Sequence, residues 1–242
     1  MVDNREGIFD PENLAAVRQL CHRKFGIGAD GLILIQNHAD YDFEMIYFNA
    51  DGSQSLCGNG SRCAVMFARR LGIIENKTNF LAYDGGHEAF IEGERVHLKM
   101  NDVDPVRIVG ADAFADTGSP HHLVWVDDVE EAPVVPQGRS IRQSAAYAPG
   151  GTNVNFVEVQ QPDSLKVRTY ERGVEDETLS CGTGVTASAL AASHRGLQSP
   201  VKVQTLGGQL EVSFEKRPDN GFTNVYLIGP AEMVFQGTID HE

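Results

Sequence analysis

Hydrophobic and polar positions along the chain follow two periods. YDFEMIYFNA, VHLKM, HLVWV, NVNFVEV, LKVRTYE, QLEVSF and TNVYLIG are rich in β-branched and aromatic residues and partly alternate, which predicts strands. Helical spacing marks PENLAAVRQLCHRKFG, SRCAVMFARRLG and VTASALAASHRG. Pro11 stands near the start of the first helix and Gly26 past its end, and Gly72 and Gly196 close the other two. Between Val126 and Pro149, clustered Pro and Gly predict a loop-rich stretch or a short helix. Strands outnumber helices and do not alternate regularly with them. The expected class is α+β, not a doubly wound parallel sheet.

The pattern repeats. Shifted by about 124 positions, CGNGSRCAVMFARRLG (Cys57 to Gly72) falls on CGTGVTASALAASHRG (Cys181 to Gly196). In the same register GIGADGLILI (Gly26 to Ile35) falls on GGTNVNFVEV (Gly150 to Val159), and Val2-Asp3 on Val126-Asp127. Further on, Gly85-Gly86 matches Gly207-Gly208 with a slightly shorter shift. The period is too long for a solenoid and implies two similar domains in one chain. The expected division is residues 1–103 with 229–242 returning to them, and residues 104–228. Duplicated halves facing each other about a pseudo-two-fold axis would place Cys57 opposite Cys181.

Composition narrows the function classes. The 242 residues are 41% hydrophobic, enough for sizeable cores without staples. A net charge of -14 argues against nucleic acid and against anionic membrane surfaces. No apolar run is long enough to span a bilayer, and the N-terminus has no secretion signal, so a cytoplasmic protein is expected. The four cysteines are then expected to be reduced thiols. No C-x-x-C and no zinc-spaced His pair occurs, so no metal is expected.

Each Cys-Gly-x-Gly opens a helix. The first helical N–H groups lack partners within the helix and favour negative charge, so a cysteine there tends toward thiolate. Gly58, Gly60, Gly182 and Gly184 would let the backbone approach a ligand, and successive amides suit a small carboxylate. Two such thiols can invert a carbon acid: one thiolate removes the proton, and the other thiol protonates the opposite face. The plainer reading, two small buried hydrophobes beside glycine turns, explains one such cysteine better than a matched pair.

Other features carry less. Gly26 to Gly31 reads G-x-G-x-x-G, but a helix precedes it and a strand follows, the reverse of a dinucleotide site. Cys21 and Cys63 read as packing residues. His22, His38, His87, His97, His122, His194 and His241 have no context that assigns them a role.

FNADGSQSLCGNGSRC and YERGVEDETLSCGTG resemble the two active-site segments of the diaminopimelate epimerase family, and GIGADG and TGSPHHLVWV resemble two further segments. The resemblance covers essentially the whole chain. It implies two pseudo-symmetric domains, each a mainly antiparallel sheet or barrel wrapped round a central helix. It also implies interconversion of LL- and meso-diaminopimelate in lysine biosynthesis, with no cofactor and no pyridoxal phosphate. Cys57 and Cys181 would be the acid–base pair, and His121 and Glu171 would support proton transfer. Asn49, Gly58, Asn59, Asn153, Glu171, Arg172, Gly182 and Thr183 would bind substrate, with Arg172 suited to the distal carboxylate. The oligomeric state stays open, a homodimer included. Proline racemases, which share the two cysteines, have His at the place of Asn59 and Asp-Arg-Ser-Pro at the place of the Glu-Arg-Gly segment. Phenazine-pathway isomerases lack both thiols.

Three departures from the family pattern stand out. Ser119 replaces a common Asn before Pro-His, and Glu171 lies ten positions before Cys181 in a loop of variable length. The counterpart of TGSPHHLVW, expected before Val2 with a Gly-x-Gly-Asn-Asp-Phe segment and its substrate-binding Asn, is absent. A late start assignment or a truncation is the expected reason. A catalytically impaired amino-acid-binding relative, a proline- or hydroxyproline-type racemase, and a Cys57–Cys181 redox switch remain alternatives.

Overall fold

The computed structural model describes residues 1–55, 57–160 and 162–239; residues 240–242, with His241 and the end of the expected returning segment, lie outside the described residues. The chain divides into two compact units. One holds Met1–Leu98 with the tail from Pro230, and the other holds Lys99–Gly229.

The first unit contains β1 (Val2–Asp3), α1 (Leu14–Cys21), β2 (Gly31–Gln36), β3 (Phe43–Asn49), α2 (Gly58–Arg70), β4 (Lys77–Ala82), β5 (Gly85–Glu92) and β6 (Arg95–Lys99). The strands neighbour one another in chain order. β1/β2 and β3/β4 are parallel, and each parallel pair is bridged by a helix, because a parallel return needs a long crossover. The other pairs are antiparallel.

The second unit opens with β7 (Arg107–Val109) and β8 (Asp112–Asp116) and then follows the same path. β9 (Pro120–Trp125), α3 (Val134–Arg142) and β10 (Asn153–Gln160) form the first parallel crossover. β11 (Ser164–Glu171), β12 (Asp176–Thr178), α4 (Gly182–Ala192) and β13 (Val201–Thr205) form the second. β14 (Gly208–Lys216) and β15 (Phe222–Pro230) complete the sheet. Val2 lies opposite Leu34 and Trp125 opposite Val157, the same separation along the chain in both units. The duplication is therefore visible in strand register as well as in sequence. The result is the expected mainly antiparallel α+β class.

Strand alternation sorts the side chains onto two faces. In the first unit Leu32, Leu34 and Phe48 pack with Val17 and Leu20 of α1. In the second, Val124, Val154, Phe156 and Tyr170 pack with Val134 of α3. The opposite faces take α2 and α4. α4 is buried at every position except Thr183, and its Gly, Ala, Ser and Thr residues make it slim enough for a central place. Arg69 and Arg70 of α2 are exposed.

Several boundaries differ from the sequence pattern. α1 is shorter at both ends than the predicted span. Its N-cap is Asn13, whose side chain accepts from the Ala16 amide at 3.1 Å, so Pro11 precedes the helix. It stops at Cys21 because His22 turns extended. α2 and α4 start earlier than the predicted spans, immediately after Cys57 and Cys181. Gly72 (φ 71°) and Gly196 (φ 95°) adopt the left-handed conformation expected past a helix end. The stretch from Val126 holds α3 and a single 3₁₀ turn, Ala145–Tyr147. The Gly26–Gly31 segment is the turn from α1 into β2, as its context suggested.

Gly26 sits where the chain folds back on α1. A Cβ there would lie 1.9 Å from the Gln19 carbonyl oxygen and 2.7 Å from that of Leu20. Neither backbone atom can move without unwinding the helix. Gly26→Ala is expected to cost about 3 kcal/mol, the upper range for overpacking. A urea titration should show a lower midpoint at unchanged slope.

Candidate active site

Cys57 and Cys181 are the N-cap residues of α2 and α4, with nearly the same extended backbone (φ -129°, ψ 109° and φ -111°, ψ 111°). The Cys57 carbonyl accepts from Ser61 N at 2.7 Å, and the Cys181 carbonyl from Val185 N at 2.8 Å. Each sulfur therefore stands beside the first helical amides, where the macrodipole favours an anion. None of the four cysteines is in a disulfide. Cys21 packs in the α1 cluster, and burial pushes the Cys21 and Cys63 thiols up. Among the described residues no cluster of His, Cys, Asp or Glu is arranged to hold a metal ion.

Around Cys57 the donors are a backbone amide and a phenol. Gly60 N donates to the Cys57 sulfur at 3.4 Å. Tyr47, on the α2 face of β3, is the phenol beside Cys57: a Cβ at Gly60 would lie 3.2 Å from its Cδ2 and 3.3 Å from Cys57 Cβ. Burial pushes the Tyr47 phenol up, and the charge on Cys57 pushes it further, so it stays protonated. The Asn59 side-chain oxygen accepts from Arg62 at 3.0 Å. Asn49 lies at the end of β3 and holds the following turn. Its amide donates to Ser53 Oγ at 3.0 Å and its oxygen accepts from Ser55 Oγ at 3.2 Å.

Around Cys181 the donors form a chain. Thr183 Oγ1 lies 3.4 Å from the Cys181 sulfur and 2.9 Å from His121 Nε2. His121 Nδ1 lies 3.0 Å from Asn155 Nδ2, and Asn155 Oδ1 accepts from Thr169 Oγ1 at 3.0 Å. Thr169 fixes the Asn155 amide, so Nδ2 donates to Nδ1 and the His121 proton sits on Nε2. Nε2–H donates to Thr183, whose hydroxyl proton is then directed at the sulfur. His121 is fully buried, and burial, followed by the nearby charge of Arg172, holds it down to about 3. It acts as a neutral imidazole, and it reaches Cys181 through Thr183.

Strand alternation explains why only one of the adjacent histidines takes part. His121 faces α4. His122 points the other way, with Nδ1 2.6 Å from the Tyr147 hydroxyl and Nε2 3.1 Å from Asp112.

The turn after β11 carries the remaining residues. Glu171 Oε2 accepts from Thr178 Oγ1 at 2.9 Å, and burial pushes its carboxyl up. Asn153 Oδ1 accepts from Arg172 N at 2.9 Å, while Nδ2 donates to the Pro120 carbonyl at 3.1 Å. Asn153 thus ties the Arg172 backbone to β9. Glu175 secures the same turn by accepting from Gly173 N, Arg142 and Tyr170.

Two details add to the expectations. The Cβ sides of Gly60 and Gly184, the second glycines of the motifs, face protein. A Cβ at Gly184 would lie 2.3 Å from Asn155 Oδ1 and 3.2 Å from His121 Cε1, and one at Gly60 3.2 Å from the Tyr47 ring. Asn155, Thr169 and Tyr47 were not among the expected site residues. The sequence signal for Asn155 was a second amide on the face that Asn153 shares, ahead of the apolar Val157 and Val159.

The order of strands and helical crossovers in the two units defines a class of fold. It is shared with a phenazine biosynthesis protein of the PhzF family from Bacillus anthracis (TM-score 0.74, 12% identity, 94% of this chain and 88% of that one). It is also shared with a probable proline racemase from Agrobacterium radiobacter (TM-score 0.63, 18% identity, 92% and 80%). The family model described as diaminopimelate epimerase matches residues 1–105 and 113–234. Curated diaminopimelate epimerases from Flavobacterium psychrophilum and Chlorobaculum tepidum are 49% and 43% identical, each over 99% of this chain and over 94% and 96% of their own length. The chain belongs to the diaminopimelate epimerase family and is an isomerase.

The buried imidazole has a consequence for stability. With a folded value of about 3 against about 6.5 unfolded, His121 leaves a proton to the unfolded chain alone. Its contribution is present above about pH 6.5 and falls progressively as pH drops toward 3. Glu171, raised in the fold, contributes with the opposite sign. Urea midpoints from pH 7.5 to 4 should fall more steeply for the natural chain than for His121→Gln. The stability gap between the two should narrow by a few kcal/mol, at about 1.4 kcal/mol for each pH step of one below about 6.5.

Proposed function

We propose that this protein interconverts LL- and meso-diaminopimelate in lysine biosynthesis by two-thiol proton transfer at Cα. The observation that supports this most directly is the matched placement of Cys57 and Cys181 as N-caps in two units of one path. One thiolate removes the α-proton, and the other thiol returns a proton to the opposite face. The reverse reaction exchanges their states. The thiols carry the proton themselves, so the chemistry calls for no cofactor.

The amides of Gly58 and Asn59, and those of Gly182 and Thr183, supply donors for the substrate carboxylate as it gains enolate character. Thr183, positioned by His121, directs its hydroxyl proton to Cys181 and favours the thiolate there. Arg172 pairs with the distal carboxylate, and Glu171 with Asn49 and Asn153 serves the distal amino end. The Asn155 and Thr169 side chains keep His121 in the tautomer that this requires.

The test follows the α-proton of LL-diaminopimelate in D2O under reducing conditions by NMR and chiral chromatography. Deuterium incorporation with a rise in the meso isomer is expected. Cys57→Ala and Cys181→Ala should each lower epimerisation by about a thousandfold, within the usual range for removing an acid or base. Binding of diaminopimelate without exchange would favour an impaired binding relative instead. Exchange of proline in place of diaminopimelate would favour the racemase reading.

A further inference from the structure

The two units solve the same problem at their sulfurs with different groups. In the second unit, inward positions of β9 and β10 supply His121 and Asn155, and these orient Thr183 toward Cys181. The duplicated register places Gly31 where the second unit has Asn155, and Asn59 where it has Thr183. At those positions the first unit thus has neither the asparagine nor the threonine of that donor chain.

Its replacement comes from the neighbouring strand. Tyr47 is paired across the sheet with Ile33, so its ring faces α2. A Cβ at Gly31 would lie 2.8 Å from the Tyr47 hydroxyl oxygen and 2.4 Å from the Phe48 carbonyl oxygen. A Cβ at Gly60 would lie 3.2 Å from Tyr47 Cδ2 and 3.3 Å from Cys57 Cβ. Two glycines, one on β2 and one in the first turn of α2, therefore clear a channel for the ring. The hydroxyl ends in the place that an Asn155-like side chain would otherwise take, on a ring packed beside Cys57.

Resting on the reading of Cys57 as a reacting thiol, we propose that Tyr47 is a further catalytic residue, the hydroxyl partner of the Cys57 sulfur, with Gly31 as the opening that admits it. Tyr47 donates its O–H to the sulfur when that is a thiolate and accepts S–H when it is a thiol. It keeps its own proton throughout, since its phenol is pushed up by burial and by the Cys57 charge. A hydrogen bond to an ionised acceptor is about twice as strong as a neutral one, so the phenol favours the thiolate state on which proton abstraction depends.

The test compares the full-length natural chain with Tyr47→Phe and Gly31→Ala, using iodoacetamide at neutral pH and peptide-resolved mass spectrometry. Tyr47→Phe keeps the ring and removes only the hydroxyl, and a thermal melt checks that it folds. Alkylation of Cys57 should slow by about threefold, because the reacting sulfur loses a charge-assisted hydrogen bond, an effect partly offset by higher intrinsic nucleophilicity. Cys181 should react at an unchanged rate. Gly31→Ala, which displaces the hydroxyl, should slow Cys57 in the same way. With diaminopimelate as substrate, kcat should fall about tenfold in Tyr47→Phe with KM within about twofold, at the lower end of the range for one bond to a charged group. An unchanged Cys57 rate, or equal slowing of both thiols, would overturn the proposal. The alkylation readout needs no turnover, so a chain inactive on diaminopimelate would refute the substrate assignment and leave this test standing.

Discussion

The amides at the start of α2 and α4, which have no acceptor within their own helix, are the constraint around which each unit is organised. An N-terminal helical turn exposes N–H groups that need an acceptor or an anion. In both units the cap is a cysteine, a weak acceptor as a thiol and a strong one as a thiolate. The incomplete satisfaction of those amides by a neutral thiol leaves them ready for negative charge on sulfur or substrate. The helix that presents them is set by its crossover, which must begin at the end of β3 or β11 and return beside it in parallel.

On this common frame the groups around each sulfur have diverged. The motif glycines show it most clearly. Gly60 makes room for an aromatic ring and Gly184 for an amide and an imidazole, although both occupy the same place in Cys-Gly-x-Gly. The frame keeps the position of the thiol and the helix start. The groups that tune the thiol come from neighbouring strands, where a change from Asn155 to its counterpart Gly31 alters what can reach the sulfur.

Much of this was legible in the sequence because it rests on local rules. The duplicated Cys-Gly-x-Gly, the closing Gly72 and Gly196, and the apolar strands all express backbone geometry that a few adjacent residues dictate. The strands Lys77–Ala82 and Gly85–Glu92 were not foreseen, since KTNFLA and GGHEAFIE mix charge, glycine and apolar residues without strong β composition. Their partners in the sheet, not their own propensities, make them strands. The roles of Tyr47, Asn155 and Thr169 were hidden for a related reason. Each depends on cross-strand register and on which face meets the helix, which the order of residues alone does not reveal. His121 was legible as a site residue, but its path through Thr183 and its neutral state follow from burial.

The all-round burial of α4 also bears on motion. A helix with no solvent face exchanges its amide hydrogens only when its surroundings open, so its protection approaches that of the whole core. α2, with Arg69 and Arg70 outward, can open its last turn while the rest of the unit stays folded. The two thiols thus cap helices of different exposure: Cys181 caps one whose fluctuations are those of the core, and Cys57 one whose far end can open locally.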